Sequence, residues 1–159
     1  MVDPDEFRRT MGQFAAGVTV VTLPDPHHGI TVNAFASLSL DPPLALICID
    51  HDTESHERLS AGEEGYCVNV LAGDQRHLGE HFARMADHGD PFADEPTRTA
   101  VTGAPAFEEA VAYLDCSVYD ALPGGDHTIY VGEVEAADVI RPEAPVLTYF
   151  RGEWGTLGE

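Results

Sequence analysis

What most restricts the fold of this chain is a series of short β-branched and aromatic runs, each cut off by Pro, Gly or Asp. Residues 18–23 read Val-Thr-Val-Val-Thr-Leu, runs follow at 30–40 and 44–49, and others occupy 66–71, 112–121, 127–140 and 146–150. Runs of this length between turn formers read as strands, because β-branched and aromatic side chains fit a pleated surface and Pro or Gly interrupts it. The first three follow one another closely and predict an antiparallel meander. Pro123-Gly124-Gly125-Asp126 supplies the turn of a hairpin between two long runs, and residues 146–150 are expected to close the sheet. Helices are few and short. Asp3 caps a first one, with Pro4 in its first turn and Phe7, Met11 and Phe14 at helical spacing, and Gly17 is the expected stop. A second fits 53–59, and Asp74 is placed to cap a third whose Leu78, Phe82 and Met85 form a stripe that would pack on the sheet. Residues 86–106, rich in Asp, Pro and Gly, read as a long loop. The expected architecture is therefore one mostly β domain over residues 1–159, an antiparallel barrel with a few short helices.

Charge narrows the partners. The chain has 28 acidic residues against 8 basic ones, all of them Arg, for a formal net charge of −20. Nucleic acid is excluded, since phosphate binding needs clustered cations. Self-repulsion at this charge is relieved by molar salt, which shortens the Debye length to about 3 Å, so a halophilic chain whose melting point rises along a potassium chloride series is expected. An acidic protein from a genome that favours Arg over Lys is the plainer alternative. No segment approaches the roughly 18 unbroken apolar residues of a membrane helix, and the acidic start lacks the basic and apolar parts of a signal peptide, so a cytoplasmic location is expected. Cys48, Cys67 and Cys116 are far apart in apolar stretches, without the spacing of a zinc site or disulfide framework, and read as buried thiols.

Chemistry concentrates in two places. Thr31, Asn33, Ser37 and Ser39 give one strand run more polar side chains than a buried strand carries; they suit either a flat heterocycle or a solvent-facing strand surface. His127 follows a glycine-rich turn beside Asp126, which is either a functional imidazole on a loop or a surface histidine in a hairpin. His77 and His81 stand four apart on one helix but lack a third ligand at a recognisable spacing, and His77-Leu78-Gly79-Glu80-His81 is not HExxH, so a metal is not expected. GxSxG, GxGxxG and the P-loop pattern are all missing, which removes nucleophile-elbow hydrolases, Rossmann enzymes and P-loop enzymes. An anionic ligand would have to be held locally against the overall charge, by the amides near Thr53 to Ser55 or by Arg84 and Arg151.

Several blocks together carry a resemblance: Met11-Gly12-Gln13-Phe14-Ala15-Ala16-Gly17-Val18-Thr19-Val20-Val21-Thr22, Thr31-Val32-Asn33-Ala34-Phe35, Ser37-Leu38-Ser39-Leu40-Asp41-Pro42-Pro43, Cys67-Val68-Asn69-Val70-Leu71 and Gly125-Asp126-His127. In this order they resemble the short flavin reductases of the flavin-reductase-like, FMN-binding split-barrel family, which supply reduced flavin to two-component monooxygenases. The resemblance implies a six-stranded antiparallel split β-barrel, a homodimer with flavin at its interface, FMN or FAD as cofactor and NAD(P)H as reductant. It further implies that Thr31, Val32, Asn33, Ala34, Phe35, Ser37 and Leu38 line the isoalloxazine and ribityl chain, with Cys48, Ile49 and Asp50 beside the ring. Glu54, Ser55, His81 and Phe82 would stand at the phosphate end, with Arg84 as a candidate counter-charge. His127 would serve the hydride step, and with Tyr149, Phe150, Arg151 and Gly152 it would meet the nicotinamide nucleotide. A non-catalytic flavin electron carrier, or a reductase that keeps its flavin and acts on another small substrate, are the alternatives. One departure from the family is the acidic loop Asp50-His51-Asp52-Thr53-Glu54-Ser55-His56-Glu57, where small or basic residues usually face the flavin phosphate.

Overall fold

The computed structural model describes residues 1–158. Its elements follow from the local sequence more closely than from the expected topology. Helix α1 (Pro4–Met11) is capped by Asp3, whose carboxylate accepts the Glu6 N–H at 2.9 Å, and none of its residues is buried. It ends at Gly12 rather than Gly17, because Gly17 is drawn into the short strand β1 (Ala16–Gly17), paired with β11 (Val146–Phe150). The run at 30–40 is two strands, β3 (His28–Val32) and β4 (Phe35–Leu40), parted at Asn33 and Ala34. With β2 (Thr19–Leu23), β5 (Pro43–Asp50), β6 (Gly65–Val70), β9 (Ala112–Gly124) and β10 (His127–Val139) they form one antiparallel sheet in the order β3-β2-β6-β9-β10-β5-β4.

The expected meander is thus wrong: β2–β3 and β4–β5 are hairpins at opposite edges of the sheet. Yet only Asn33 and Ala34 separate β3 from β4, and three Cα steps reach no further than about 11 Å. The sheet must therefore curl until its two edges nearly meet. Inside the curl Val21, Val32, Ile47, Ile49, Tyr66, Val68 and Tyr130 form the main core, with Phe35 packed against it. The edges do not hydrogen-bond to each other, so the sheet is not a closed barrel, and it has seven strands where six were expected.

Two smaller sheets complete the fold. Strand β11 pairs with β1 and with β12 (Glu153–Leu157), an element the sequence reading missed, so residues 146–150 build a separate three-stranded sheet and do not close the main one. That sheet is fastened by Val18 N–H to Leu147 O, Leu147 N–H to Leu71 O and Leu71 N–H to Val18 O. Between it and the main sheet Val18, Val20, Leu71, Leu78 and Phe107 form a second core. Helix α2 (Glu54–Ser60) is capped by Thr53, and α3 (Arg76–Phe82) buries Leu78. Met85 lies beyond α3 and is exposed, so the expected stripe ends at Phe82, and Asp74 does not cap α3 but pairs with Arg141 at 3.0 Å. Nor are residues 86–106 a loop throughout: α4 (Pro91–Asp94), β7 (Thr97–Thr99) and β8 (Pro105–Phe107) fall within or across them. The buried Asp115 fixes this segment, accepting the Val101 and Thr102 N–H groups and the Thr102 hydroxyl at 2.7, 2.8 and 2.6 Å. Among the described residues no helix is long and apolar enough to cross a membrane.

Candidate functional site

The break between β3 and β4 divides the surface into an apolar cleft and a polar one. The apolar cleft, of about 430 Å³, has Asn33, Ala34, Phe35 and Ala36 as one wall and Leu46 and Cys48 as its floor. Met11, Gly12, Phe14 and Ala16 form the rim, and Tyr149, Arg151 and Gly152 the far wall. Strand alternation explains the floor: Ala45, Ile47 and Ile49 of β5 point into the core, so Leu46 and Cys48 face outward. Burial raises the Cys48 thiol above its ordinary pKa, which keeps it neutral. At the break the backbone stays tied, with Ala34 O accepting the Cys48 N–H and Asn33 O the Phe35 N–H.

Two contiguous polar hollows, of about 630 and 320 Å³, lie on the other side and share His28, Gly29, Glu54, Phe82 and Arg84. Gly29 is required there: a Cβ would lie 2.7 Å from the Phe82 ring. Thr31 lines the smaller hollow, but its hydroxyl donates to Gly79 O at 2.7 Å and thereby fastens α3 to β3. His28 Nδ1 lies 3.2 Å from Glu54 Oε2, and burial outweighs that carboxylate in holding the imidazole below its ordinary pKa. His81 lines the larger hollow, with its Nδ1 accepting the His88 N–H. Arg84 adopts φ 57°. Ser55, next to Glu54 in the chain, is fully buried and lines none of these spaces, and its hydroxyl has no hydrogen-bond partner among the described residues. A buried hydroxyl without a partner costs stability.

The residues named from sequence therefore fall into four groups. Asn33, Ala34, Phe35, Cys48, Tyr149, Arg151 and Gly152 meet in the apolar cleft; Thr31, Glu54, His81, Phe82 and Arg84 meet in the polar hollows, whereas Ser55 is buried and lines neither. Val32 and Ile49 are corrections: both side chains are in the core, at the inward positions of their strands, and only their backbone can face a ligand. Ser37, Leu38, Asp50, Phe150 and His127 line none of these spaces. Ser37 and Leu38 are exposed on β4 at a bulge, which turns them away from the cleft wall. Asp50 accepts the Asp52 N–H at 2.8 Å, and the Phe150 ring lies under the Arg151 guanidinium at 4.6 Å. His127 Nδ1 is 2.7 Å from Asp126 Oδ1, and that hydrogen bond holds the exposed Asp126 carboxyl below its ordinary pKa. Through its register partner Asp50, His127 shares the outer sheet face of Cys48, one alternate position along.

Sequence reasoning missed the roles of Met11, Phe14, Ala36 and Leu46 in the apolar cleft, and of Gly29 and Phe92 in the polar one. For Met11 a signal existed, since the large apolar residues Phe7 and Met11 of a surface helix have to meet something, whereas Phe14 lies beyond the end of α1.

The profile of the family described as flavin reductase like domain matches residues 11–158. The chain is 41% identical over 147 residues to an NADH-dependent FAD reductase of Streptomyces globisporus, covering 86% of this chain and 79% of that protein. It is 35% identical over 156 residues to the reductase subunit HsaB of a flavin-dependent monooxygenase of Mycobacterium tuberculosis, covering 96% and 82%. Among solved structures it superposes with a TM-score of 0.87 and 38% identity on the Streptomyces globisporus NADH:FAD oxidoreductase SgcE6 in complex with NAD and FAD fragments, covering 99% of this chain and 96% of that one.

Proposed function

Because the chain belongs to the flavin reductase like family, we propose that it reduces FMN or FAD with NAD(P)H and hands the reduced flavin to a flavin-dependent monooxygenase component. It is an oxidoreductase of two nucleotide substrates. The observation that carries this reading is the apolar cleft: at about 430 Å³ it is within the range of small-molecule sites. It opens beside polar hollows that carry the side chain of Arg84. A flat, largely apolar ring with a polar tail fits that pairing of spaces.

When bound, the flavin accepts a hydride from the nicotinamide, and the protein contributes position and the exclusion of water. Asn33 to Ala36 and Cys48 would hold the ring flat, with the neutral Cys48 thiol adding no charge against it. Ser55, Arg84 and the rim of the polar hollows would receive the tail and its phosphate. His81 and Phe82, whose rings meet edge to face at 4.9 Å, would wall that end. Tyr149, Arg151 and Gly152 would face the nicotinamide nucleotide. His127, oriented by Asp126, would orient the reacting ring from the outer face of β10 without itself transferring a proton.

The curled seven-stranded sheet reads as the split barrel of the family, operating as a homodimer in the cytoplasm. The outer face of β9, β10 and β5 supports the dimer. It exposes Tyr119 and Leu122, and the latter lies in one register row with Ile129 and Cys48. A second protomer on this face would enclose the open side of the apolar cleft.

Steady-state oxidation of NADH and NADPH with FMN or FAD in large excess over enzyme tests the activity. Many turnovers of added flavin are expected. Bleaching of a stoichiometric bound flavin alone would instead make the chain an electron carrier.

A further inference from the structure

In a chain with 28 acidic residues, an arginine without a carboxylate is the exception. Arg8, Arg58, Arg76, Arg98 and Arg141 each lie within 4.0 Å of one. Arg9 sits on α1 in a hollow lined by Asp3, Asp5 and Glu6. Among the described residues Arg9, Arg84 and Arg151 have no carboxylate within 4.0 Å, and of these only Arg151 lines a space without acidic side chains, since Arg84 shares its hollow with Glu54, Asp87 and Asp90. Arg84 and Arg151 are also the only non-glycine residues with positive φ among those described, at 57° and 52°.

Arg151 and Gly152, with φ 52° and 78°, are the two turn residues between Phe150 and Glu153, which pair as the ends of β11 and β12. Two positive φ values are what a two-residue type I′ hairpin requires, and Asn-Gly satisfies it at least cost. An arginine at the first of these positions is therefore unfavourable for the turn itself, and its side chain must be what recommends it. That side chain is held from two directions. Its Nε donates to Gln13 Oε1 at 2.9 Å, and its guanidinium lies over the Phe150 ring at 4.6 Å. Gln13 has no freedom to turn its amide around, because its Nε2 donates to Arg9 O at 3.2 Å. Gln13 is one of only two glutamines in the chain. A glutamate there would reach the same Nε but would neutralise it.

We infer that Gln13 is a positioning residue that holds Arg151 with its charge uncommitted, so that the guanidinium anchors a phosphate of the nicotinamide nucleotide at the rim of the apolar cleft. The inference rests on the reductase reading for the identity of the nucleotide. Its mechanism is independent of turnover: a neutral tether orients the cation and leaves the outer guanidinium nitrogens free for an anion, which a planar fork binds with two parallel hydrogen bonds. The Arg151 backbone is fixed separately, since its N–H donates to Gly12 O at 3.1 Å, so changes at Gln13 act on the side chain alone.

Three variants test it: Gln13→Glu, Gln13→Ala and Arg151→Asn. Each is assayed for ADP-ribose affinity by calorimetry, for KM and kcat with NADH, and for melting temperature. ADP-ribose carries the pyrophosphate without the reducing ring, so its binding does not depend on catalysis. Gln13→Glu is expected to weaken ADP-ribose and raise the NADH KM by about tenfold, the equivalent of one charge-assisted hydrogen bond. The melting temperature should not fall and kcat should stay within about twofold. Gln13→Ala should give a smaller change of the same kind. Arg151→Asn should lose the same affinity while melting higher than the parent, because the turn gains its preferred residue. Parent-like ADP-ribose affinity in Gln13→Glu overturns the proposal, as does a fall in melting temperature with kcat and KM worsening together. A parent that binds ADP-ribose with the expected variant pattern but reduces no flavin would leave the anchor standing and refute the reductase reading instead.

Discussion

The apolar cleft and the polar hollows flank the same interruption between β3 and β4 at Asn33 and Ala34, yet they are built in opposite ways. The apolar cleft gathers four distant segments, around residues 11–16, 33–36, 46–48 and 149–152, and most of its side chains offer only shape. The polar hollows are lined by His27, His28, His81, Arg84, Glu54, Asp87 and Asp90, and offer charge and hydrogen bonds. The difference teaches a division of labour under the proposed function: one side would select a flat ring by exclusion of water, and the other would hold a polar tail by charged and hydrogen-bonding groups. It also explains how a chain of net charge −20 can bind an anionic ligand. Arg84 and Arg151, two of the three arginines with no carboxylate within 4.0 Å among the described residues, stand one in each region.

Filling the apolar cleft should have the largest effect. Ala36 is exposed on its wall, so Ala36→Trp should leave the melting temperature nearly unchanged while weakening flavin about a hundredfold, measured by quenching of flavin fluorescence. Next is Gly29→Val, which places new atoms where the Phe82 ring now packs. It should cost about 1–3 kcal/mol by denaturant titration, the usual range for overpacking. If this variant kept parent stability, Phe82 would be mobile and the polar wall would not be preformed.

Ser55→Ala has a more discriminating outcome. Removing a buried hydroxyl without a partner should stabilise the ligand-free protein by about 1 kcal/mol and weaken FMN several-fold. Loss of both stability and binding would show that the hydroxyl is engaged in the free protein. The smallest effect concerns pH. The folded state holds His28 below its ordinary pKa of about 6.5, so the unfolded chain takes up its proton first as pH falls. Its contribution to stability is complete above about pH 6.5 and is lost as the pH drops from there through the lower folded value. A His28→Asn variant should accordingly show a shallower loss of stability below pH 6.5 than the parent.

How much of this the sequence revealed depends on which physical signal each residue carried. Strands were legible from β-branched runs and the β9–β10 hairpin from its glycines. The split of residues 30–40 was not, because Asn33 and Ala34 are tolerated within strands and only the curl of the sheet forces a break there. Treating 31–35 and 48–50 as continuous lining ignored the period of two, which sends Val32 and Ile49 into the core while their neighbours face outward. Met11 was visible on a helical stripe with Phe7, but nothing local says that a stripe with no core beneath it borders a cleft. The turn position of Arg151 was invisible without φ and without β12, whose strand the sequence reading missed.

The most direct test of the division between the two regions compares a bare ring with a ring that carries its tail. Lumiflavin and FMN would be titrated into the parent, Ala36→Trp, Ser55→Ala and Arg84→Ala proteins. The account predicts that Ala36→Trp weakens both ligands by the same factor, whereas Ser55→Ala and Arg84→Ala weaken FMN about five- to tenfold and leave lumiflavin unchanged. Lumiflavin binding that survives Ala36→Trp, or that falls with Arg84→Ala, would place the ring outside the apolar cleft and contradict the account.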